Sequence, residues 1–419
     1  MPASKRSLSF DDVASFVRTQ LEGSSDADQV GAEIEWLTVP ISDPQSLADF
    51  EVVRRLLPVG SILPGSGTIT YEPGGQLEIS TTPATSADAV CEAIAVDSSY
   101  AQSILYEEDI QLVGVGYEPF RRPKRAMYSP RYDAMEAYFD SGWPQGRSMM
   151  TSTAAIQVNV DLPADLAAGW RLAHALGPVL AATFANSPLA AGRPTGWRST
   201  RLGVWQAIDA SRTAPALASG DPAADWARYA LDARVMFINS NPPQSDKLEP
   251  ILTPLTFGQW IHSGHEFGYP TLDDFQIHTT TLFPPIRPKA RANSWLELRM
   301  IDALGDPWWR VPILVVKALL HDETAAVAAA KAVTGAQGLW SEAATDGLTH
   351  PELRACAVAC FEIARDVLGS GTSEYVDVLD AFNERYVRSG RTLADETLNN
   401  WRKQESEERE LKTGFEAWA

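Results

Sequence analysis

The sequence predicts an α+β protein, with a body of mainly antiparallel strands, helices outside it and a helical C-terminal layer. Three observations lead there. Four short stretches alternate apolar and polar residues: Val30–Leu37, Gln76–Ser80, Ala155–Asp161 and Trp295–Ile301. Segments with a helical apolar period and capping residues lie between them. From Trp308 onward nearly every segment has that helical period. Residues 1–419 are expected to form a single domain, with a motif-bearing core over 30–320 and the helical layer over 321–419.

In chain order, Phe10–Leu21 reads as a helix with Ser9 as its N-cap ahead of Asp11 and Asp12. The first alternating strand follows, then a loop and helix over Ile41–Leu57. Pro73-Gly74-Gly75 marks a hairpin turn. Ser86–Glu108 is a capped helix with the apolar stripe Val90, Ile94, Tyr100, Ile104 and Leu105, and Gln111–Gly116 is a short strand. Pro119–Arg131 is a basic loop, followed by a helix over Asp133–Phe139. After the third alternating strand, Leu166, Trp170, Ala173, Leu176, Leu180 and Phe184 define another helix. Asn186–Arg212 reads as a long irregular loop of the kind that binds something. Helices are expected around Ala223–Ala233, Phe257–Ser263 and Leu272–Leu282, and a strand around Arg234–Ile238. Phe283–Lys289 reads as a Pro-rich connection. The C-terminal layer comprises Val311–His321, Glu323–Val333, Pro351–Leu368 (capped by Thr349), Glu374–Ser389 and Thr392–Trp401, with a solvated charge run at Glu405–Lys412.

A chain of 419 residues can bury a large core. Its net charge of −19 argues against nucleic acid or an anionic membrane as partner. Met1–Ser7 has Lys5 and Arg6 but no apolar run behind it, so a cytoplasmic protein is expected. Cys91, Cys356 and Cys360 form no zinc pattern.

Residues two apart on a strand share a face. Glu33 and Glu35, Gln76 and Glu78, Gln157 and Asn159, and Glu297 and Arg299 therefore point the same way on their strands. Same-face carboxylates on paired strands lie roughly 5–7 Å apart. Two such charges repel by about 3 kcal/mol at an effective dielectric of about 20. A half-solvated sheet accounts for any one of these strands. Four together favour a cavity lined with oxygen ligands, which suits Mg²⁺ or Mn²⁺. No P-loop or HExxH motif is present. A phosphate would instead need metal and arginine. Arg121, Arg122, Lys124, Arg125 and Arg131 supply one basic loop, and Arg193, Arg198, Arg201 and Arg212 another.

Specific motifs accompany these faces. They are GAEIEW (Gly31–Trp36), YEPGGQLEIS (Tyr71–Ser80), RYDAM (Arg131–Met135), IQVNVD (Ile156–Asp161), FANSPLAAGRPTGWRSTRLGVW (Phe184–Trp205), DASRT (Asp209–Thr213), LELR (Leu296–Arg299) and DPWWR (Asp306–Arg310). In these the chain resembles the plant-like branch of the glutamate–cysteine ligases, the type 2 superfamily, which includes actinobacterial enzymes of ergothioneine biosynthesis. The resemblance implies a glutamine-synthetase-like catalytic fold, a curved antiparallel sheet with helices outside. It also implies ATP-dependent formation of γ-glutamylcysteine through γ-glutamyl phosphate, with L-glutamate, L-cysteine and ATP as small-molecule partners; apart from the resemblance, a monomer is the expectation and the sequence leaves the oligomeric state open.

Carried over by motif, Glu33, Glu35, Glu72, Glu78, Gln157 and Glu297 are the expected metal shell, with Asn159 beside it. Arg299 is the expected phosphate-side group; it and Glu35 are the expected catalytic pair. Arg125 and Arg201 are expected to clamp the α-carboxylate of glutamate, and Trp308 and Arg310 to line the substrate pocket. A related ligase with another amine acceptor and a non-catalytic nucleotide- or metal-binding relative are the alternatives.

Overall fold

The computed structural model describes residues 7–22, 28–240, 247–290, 294–369 and 374–416. The Met1–Arg6 segment and the side chains of the charge run past Glu405 lie outside the described residues.

Seven strands build the main sheet: β1 (Val30–Pro40), β2 (Thr68–Tyr71), β3 (Leu77–Ser80), β4 (Ile110–Val113), β5 (Ala155–Asp161), β6 (Ile286–Ala290) and β7 (Ser294–Asp302). Their order is β6-β7-β5-β1-β3-β2, with β4 on the far end of β1, and every pairing is antiparallel. The four alternating stretches are thus neighbours, as expected. Glu35 lies opposite Glu78, Glu33 opposite Gln157, and Glu297 opposite Asn159.

The back of this sheet is the apolar set. Ala32, Ile34 and Trp36 of β1, Leu77 and Ile79 of β3, Ile156, Val158 and Val160 of β5, and Leu296, Leu298 and Met300 of β7 are all buried in one core. Helices Ala87–Tyr106, Leu166–Thr183, Arg310–His321 and Pro351–Leu368 contribute apolar residues to the same core. Each fully buried Leu or Ile contributes about 1.5–3 kcal/mol, so this face fixes which way the acids point.

Local capping chemistry sets the helix starts. Ser9 Oγ accepts from Asp12 N at 3.2 Å while the Asp12 carboxylate accepts from Ser9 N at 2.9 Å. Ser86 accepts from Ala89 N at 3.3 Å. The Pro351–Leu368 helix differs from expectation: His350 is its N-cap, without a side-chain bond, and Thr349 ends a preceding 3₁₀ turn. Asn186–Arg212 is more regular than its composition suggests. It holds a small hairpin, Leu189–Ala190 with Arg193–Pro194, and the helix Thr200–Gln206 capped by Ser199. The Pro-rich stretch before β7 is itself a strand, β6. Pro288 is tolerated there because β6 is the edge of the sheet.

No helix among the described residues is long and apolar enough to cross a membrane.

Candidate active site

The turn after β2 completes an acid group that alternation alone half reveals. Gly75 N donates to Glu72 O at 2.8 Å, and Glu72 N donates to Gln76 O at 3.0 Å. Gly75 has φ +90°, and a Cβ on Gly74 would lie 2.1 Å from Thr151 O. Only glycines make this turn, which sets Glu72 beside the front of β1 and β3. Carboxylate oxygens of Glu35, Glu72 and Glu78 lie within 4.8 Å of one another.

These acids are crowded and short of cations. Burial, followed by the charge of Glu72, pushes Glu35 up to about 8. Burial raises Glu72 as well, and burial with Glu33, Glu72 and Glu35 raises Glu78 well above the usual range. Glu33 is raised by burial and by Glu297. Specific bonds still orient the group. Glu35 accepts from Ala155 N at 2.9 Å and from Gln157 Nε2 at 3.1 Å. Glu33 accepts from Asn159 Nδ2 at 3.3 Å, and Trp295 Nε1 holds Asn159 Oδ1 at 3.1 Å. Glu78 accepts from the Thr70 hydroxyl. Three converging oxygen donors, one buried and two half-buried, with unfavourable mutual charge fit a divalent cation.

Glu297 has a different environment. Arg287 Nε at 2.7 Å, Arg299 Nη1 at 2.7 Å and Lys289 Nζ at 3.0 Å surround it. Although burial alone would raise it, these cations, Arg287 foremost, hold it far below the usual range. Arg299 also donates to Gln157 Oε1. The six expected metal ligands therefore differ in their protein partners. Glu35, Glu72 and Glu78, with Glu33 nearby, form the acid group; Gln157 and Glu297 are engaged by cations and position Arg299. Alternation identified the face of each residue but not its partner. Arg287 and Lys289 escaped the sequence reading because Pro288 lies between them. Their signal was the same two-residue spacing, which places both on the face of Glu297.

Arg201 sits at the other side of Glu35. Its side chain is buried, and Nη2 donates to Arg299 O at 2.7 Å. Nε and Nη1 have no hydrogen-bond partner among the described residues. Burial lowers its basicity, opposed by Asp302 and then Glu35.

Three other expected substrate residues are placed differently. Arg125 donates to Met127 O, Glu136 and Asp133 at 3.2, 2.7 and 2.8 Å and lies over the Tyr128 ring, so its donors tie the loop to the next helix. Arg131 is the loop cation whose charge reaches Glu72. Trp308 packs on Phe382 and Tyr386, each 5.6 Å away, beside the core behind the sheet. Arg310 lies over Trp309 and pairs with Asp306. Both follow from the path of the chain after β7, which enters the Arg310–His321 helix on the apolar side. Arg212, in the second basic stretch, is fully buried and pairs with Asp209 at 2.9 Å.

Known proteins agree with this geometry. The profile of Glutamate-cysteine ligase family 2 matches residues 29–414. The chain is 37% identical to the glutamate–cysteine ligase EgtA of Mycolicibacterium smegmatis over 379 residues, 88% of this chain and 86% of that one. It is 40% identical to the EgtA of Mycobacterium tuberculosis over 347 residues, 80% and 78% of the two chains. A glutamate–cysteine ligase of Francisella tularensis, solved in complex with AMP, shares the fold at a TM-score of 0.51, with 14% identity, covering 90% of this chain and 85% of that one. An antiparallel sheet with an acidic front, the motifs that shape it and a matching profile over nearly the whole chain lead to one assignment: the chain belongs to glutamate-cysteine ligase family 2.

Proposed function

We propose that the chain joins the γ-carboxylate of L-glutamate to the amine of L-cysteine with ATP, giving γ-glutamylcysteine, ADP and phosphate, as the cytoplasmic first step of ergothioneine biosynthesis. The observation that carries this reading is the acid group Glu35, Glu72 and Glu78 beside two arginines, the buried Arg201 and the half-buried Arg299. Glu35, Glu72 and Glu78 would hold Mg²⁺ or Mn²⁺, and the ion when bound neutralises phosphate oxygens.

The chain's own side chains do the rest. The unpartnered donors of Arg201 suit the two oxygens of a glutamate carboxylate. Arg299 is held by Glu297 and Gln157, where it stabilises charge on the transferring phosphoryl group. The γ-glutamyl phosphate so formed is attacked by the cysteine amine, which loses a proton as phosphate leaves.

The test is ADP release with glutamate and cysteine together and with each alone. Release that needs both is expected; equal release with glutamate alone overturns peptide formation. Equal rates when other amino acids replace cysteine overturn the acceptor.

Arg201→Lys is expected to raise the KM for glutamate at least tenfold with little change in kcat, because lysine cannot make the paired contact. An unchanged KM removes Arg201 from this role.

The acid group also sets a pH dependence. Glu35 has a folded pKa near 8, above its unfolded value, so the folded state binds more protons between roughly pH 4.5 and 8. Its contribution to stability is therefore present at low pH and lost as pH rises through that window. Metal-free protein is expected to melt lower at pH 8 than at pH 6, and Mg²⁺ to raise Tm more at pH 8, where the ligands are ionised. Calorimetry showing a Mg²⁺ effect equal at both pH values contradicts the metal assignment.

A further inference from the structure

Asp302, the last residue of β7, has no role in the reading above, yet it is 1% exposed and joins three functional segments. Its Oδ2 accepts from Asn186 N at 2.9 Å and Ser187 Oγ at 2.7 Å. Its Oδ1 accepts from Ser199 Oγ at 2.8 Å and lies 3.8 Å from Arg201 Nη1. The two serines relay this anchoring into the Thr200–Gln206 helix. Ser187 Oγ accepts from Arg201 N at 3.2 Å, and Ser199 Oγ caps the helix at Leu202 N, 3.1 Å away. The site for this carboxylate is closely walled: a Cβ on Gly116 would come within 2.4 Å of Asp302 Cγ.

Arg201 is a buried cation whose only hydrogen bond from the guanidinium, among the described residues, is to Arg299 O. A buried charge needs a counter-charge. Asp302 lies 3.8 Å from its Nη1, and the charge of Glu35 also reaches it. At 3.8 Å Asp302 supplies charge without occupying the Nε and Nη1 donors.

We propose that Asp302 is a positioning residue for glutamate binding: it holds Arg201 away from Glu35, with its donors free for the substrate carboxylate. The proposal rests on the assignment of Arg201 to glutamate. Without the Asp302 charge, Glu35 is the remaining anion beside Arg201. The guanidinium then turns toward it, and the carboxylate site is lost.

The experiment is a double-mutant cycle on the full chain with D302N, R201K and the double variant, reading KM for glutamate, KM for ATP and kcat. Expected are a rise of about tenfold or more in KM for glutamate for D302N, little change in KM for ATP, and no further rise when D302N is added to R201K. A KM for glutamate that is unchanged in D302N but raised in R201K overturns the positioning role while leaving Arg201 in place. Fully additive effects also overturn it, since Asp302 then acts independently of Arg201. If R201K itself leaves KM unchanged, the assignment of Arg201 fails and the proposal falls with it. Should D302N not fold, Ser199→Ala reads the same coupling by removing a hydrogen bond on Oδ1. It is expected to raise KM for glutamate in the wild-type background and not in R201K; a rise in both overturns the proposal.

Discussion

Glu35→Gln is expected to lower kcat by about a thousandfold and to abolish the Mg²⁺-induced rise in Tm, while the protein still folds. The size follows from where the charge is removed. Glu35 is one of three carboxylates whose oxygens converge within 4.8 Å, so its loss takes away a third of the negative charge on which a divalent ion depends. Metal neutralisation of phosphate oxygens contributes several kcal/mol of transition-state stabilisation, and each 1.36 kcal/mol is a factor of about ten in rate. The fold survives because the apolar back of β1 is untouched: Ala32, Ile34 and Trp36 remain buried in the sheet core. The substitution also relieves repulsion from Glu72. Steady-state turnover and thermal melts with and without Mg²⁺ check both halves. Normal turnover at low Mg²⁺ in the variant rules out Glu35 as a metal ligand.

Arg299→Ala is the second large effect, a fall in kcat of about 10²–10³ with a smaller change in the KM for glutamate. Arg299 is half-buried at the junction of the acid front and the Glu297 group. It donates to Glu297 at 2.7 Å and to Gln157, and Glu33 and Glu35 both favour its charged form. Among the described residues no other arginine bonds both Gln157 and Glu297. Glu297 is not stranded by the substitution, because Arg287 and Lys289 still pair with it. The loss is therefore expected in chemistry rather than in stability. Single-turnover formation of acyl phosphate, read as ADP, isolates the step; a full-rate burst there would assign Arg299 elsewhere.

Much of this site was legible from a period of two. Glu33, Glu35, Glu78, Gln157, Asn159, Glu297 and Arg299 share the front of one sheet because their strands bury the intervening apolar residues. Glu72 belongs to a turn, which has no period, and only the motif around Gly74 and Gly75 pointed to it. Arg287 and Lys289 were hidden by Pro288, which argues against a central strand but not against an edge one. What surrounds Arg125 and Trp308 was hidden for a different reason. Arg125 bonds Asp133 and Glu136 of the next helix and Trp308 packs on Phe382 and Tyr386, and such neighbours are set by packing that a linear pattern does not encode. The helix start at His350 and the order within Asn186–Arg212 likewise reflect tertiary contacts overriding local preference.

The odd-even division of β1 limits how this chain can change length. Deleting or inserting one residue within Val30–Pro40 would exchange the roles of its two faces, driving Glu33 and Glu35 into oil and presenting Ile34 and Trp36 to substrate. Related sequences should therefore vary in length between the strands and stay gap-free inside them.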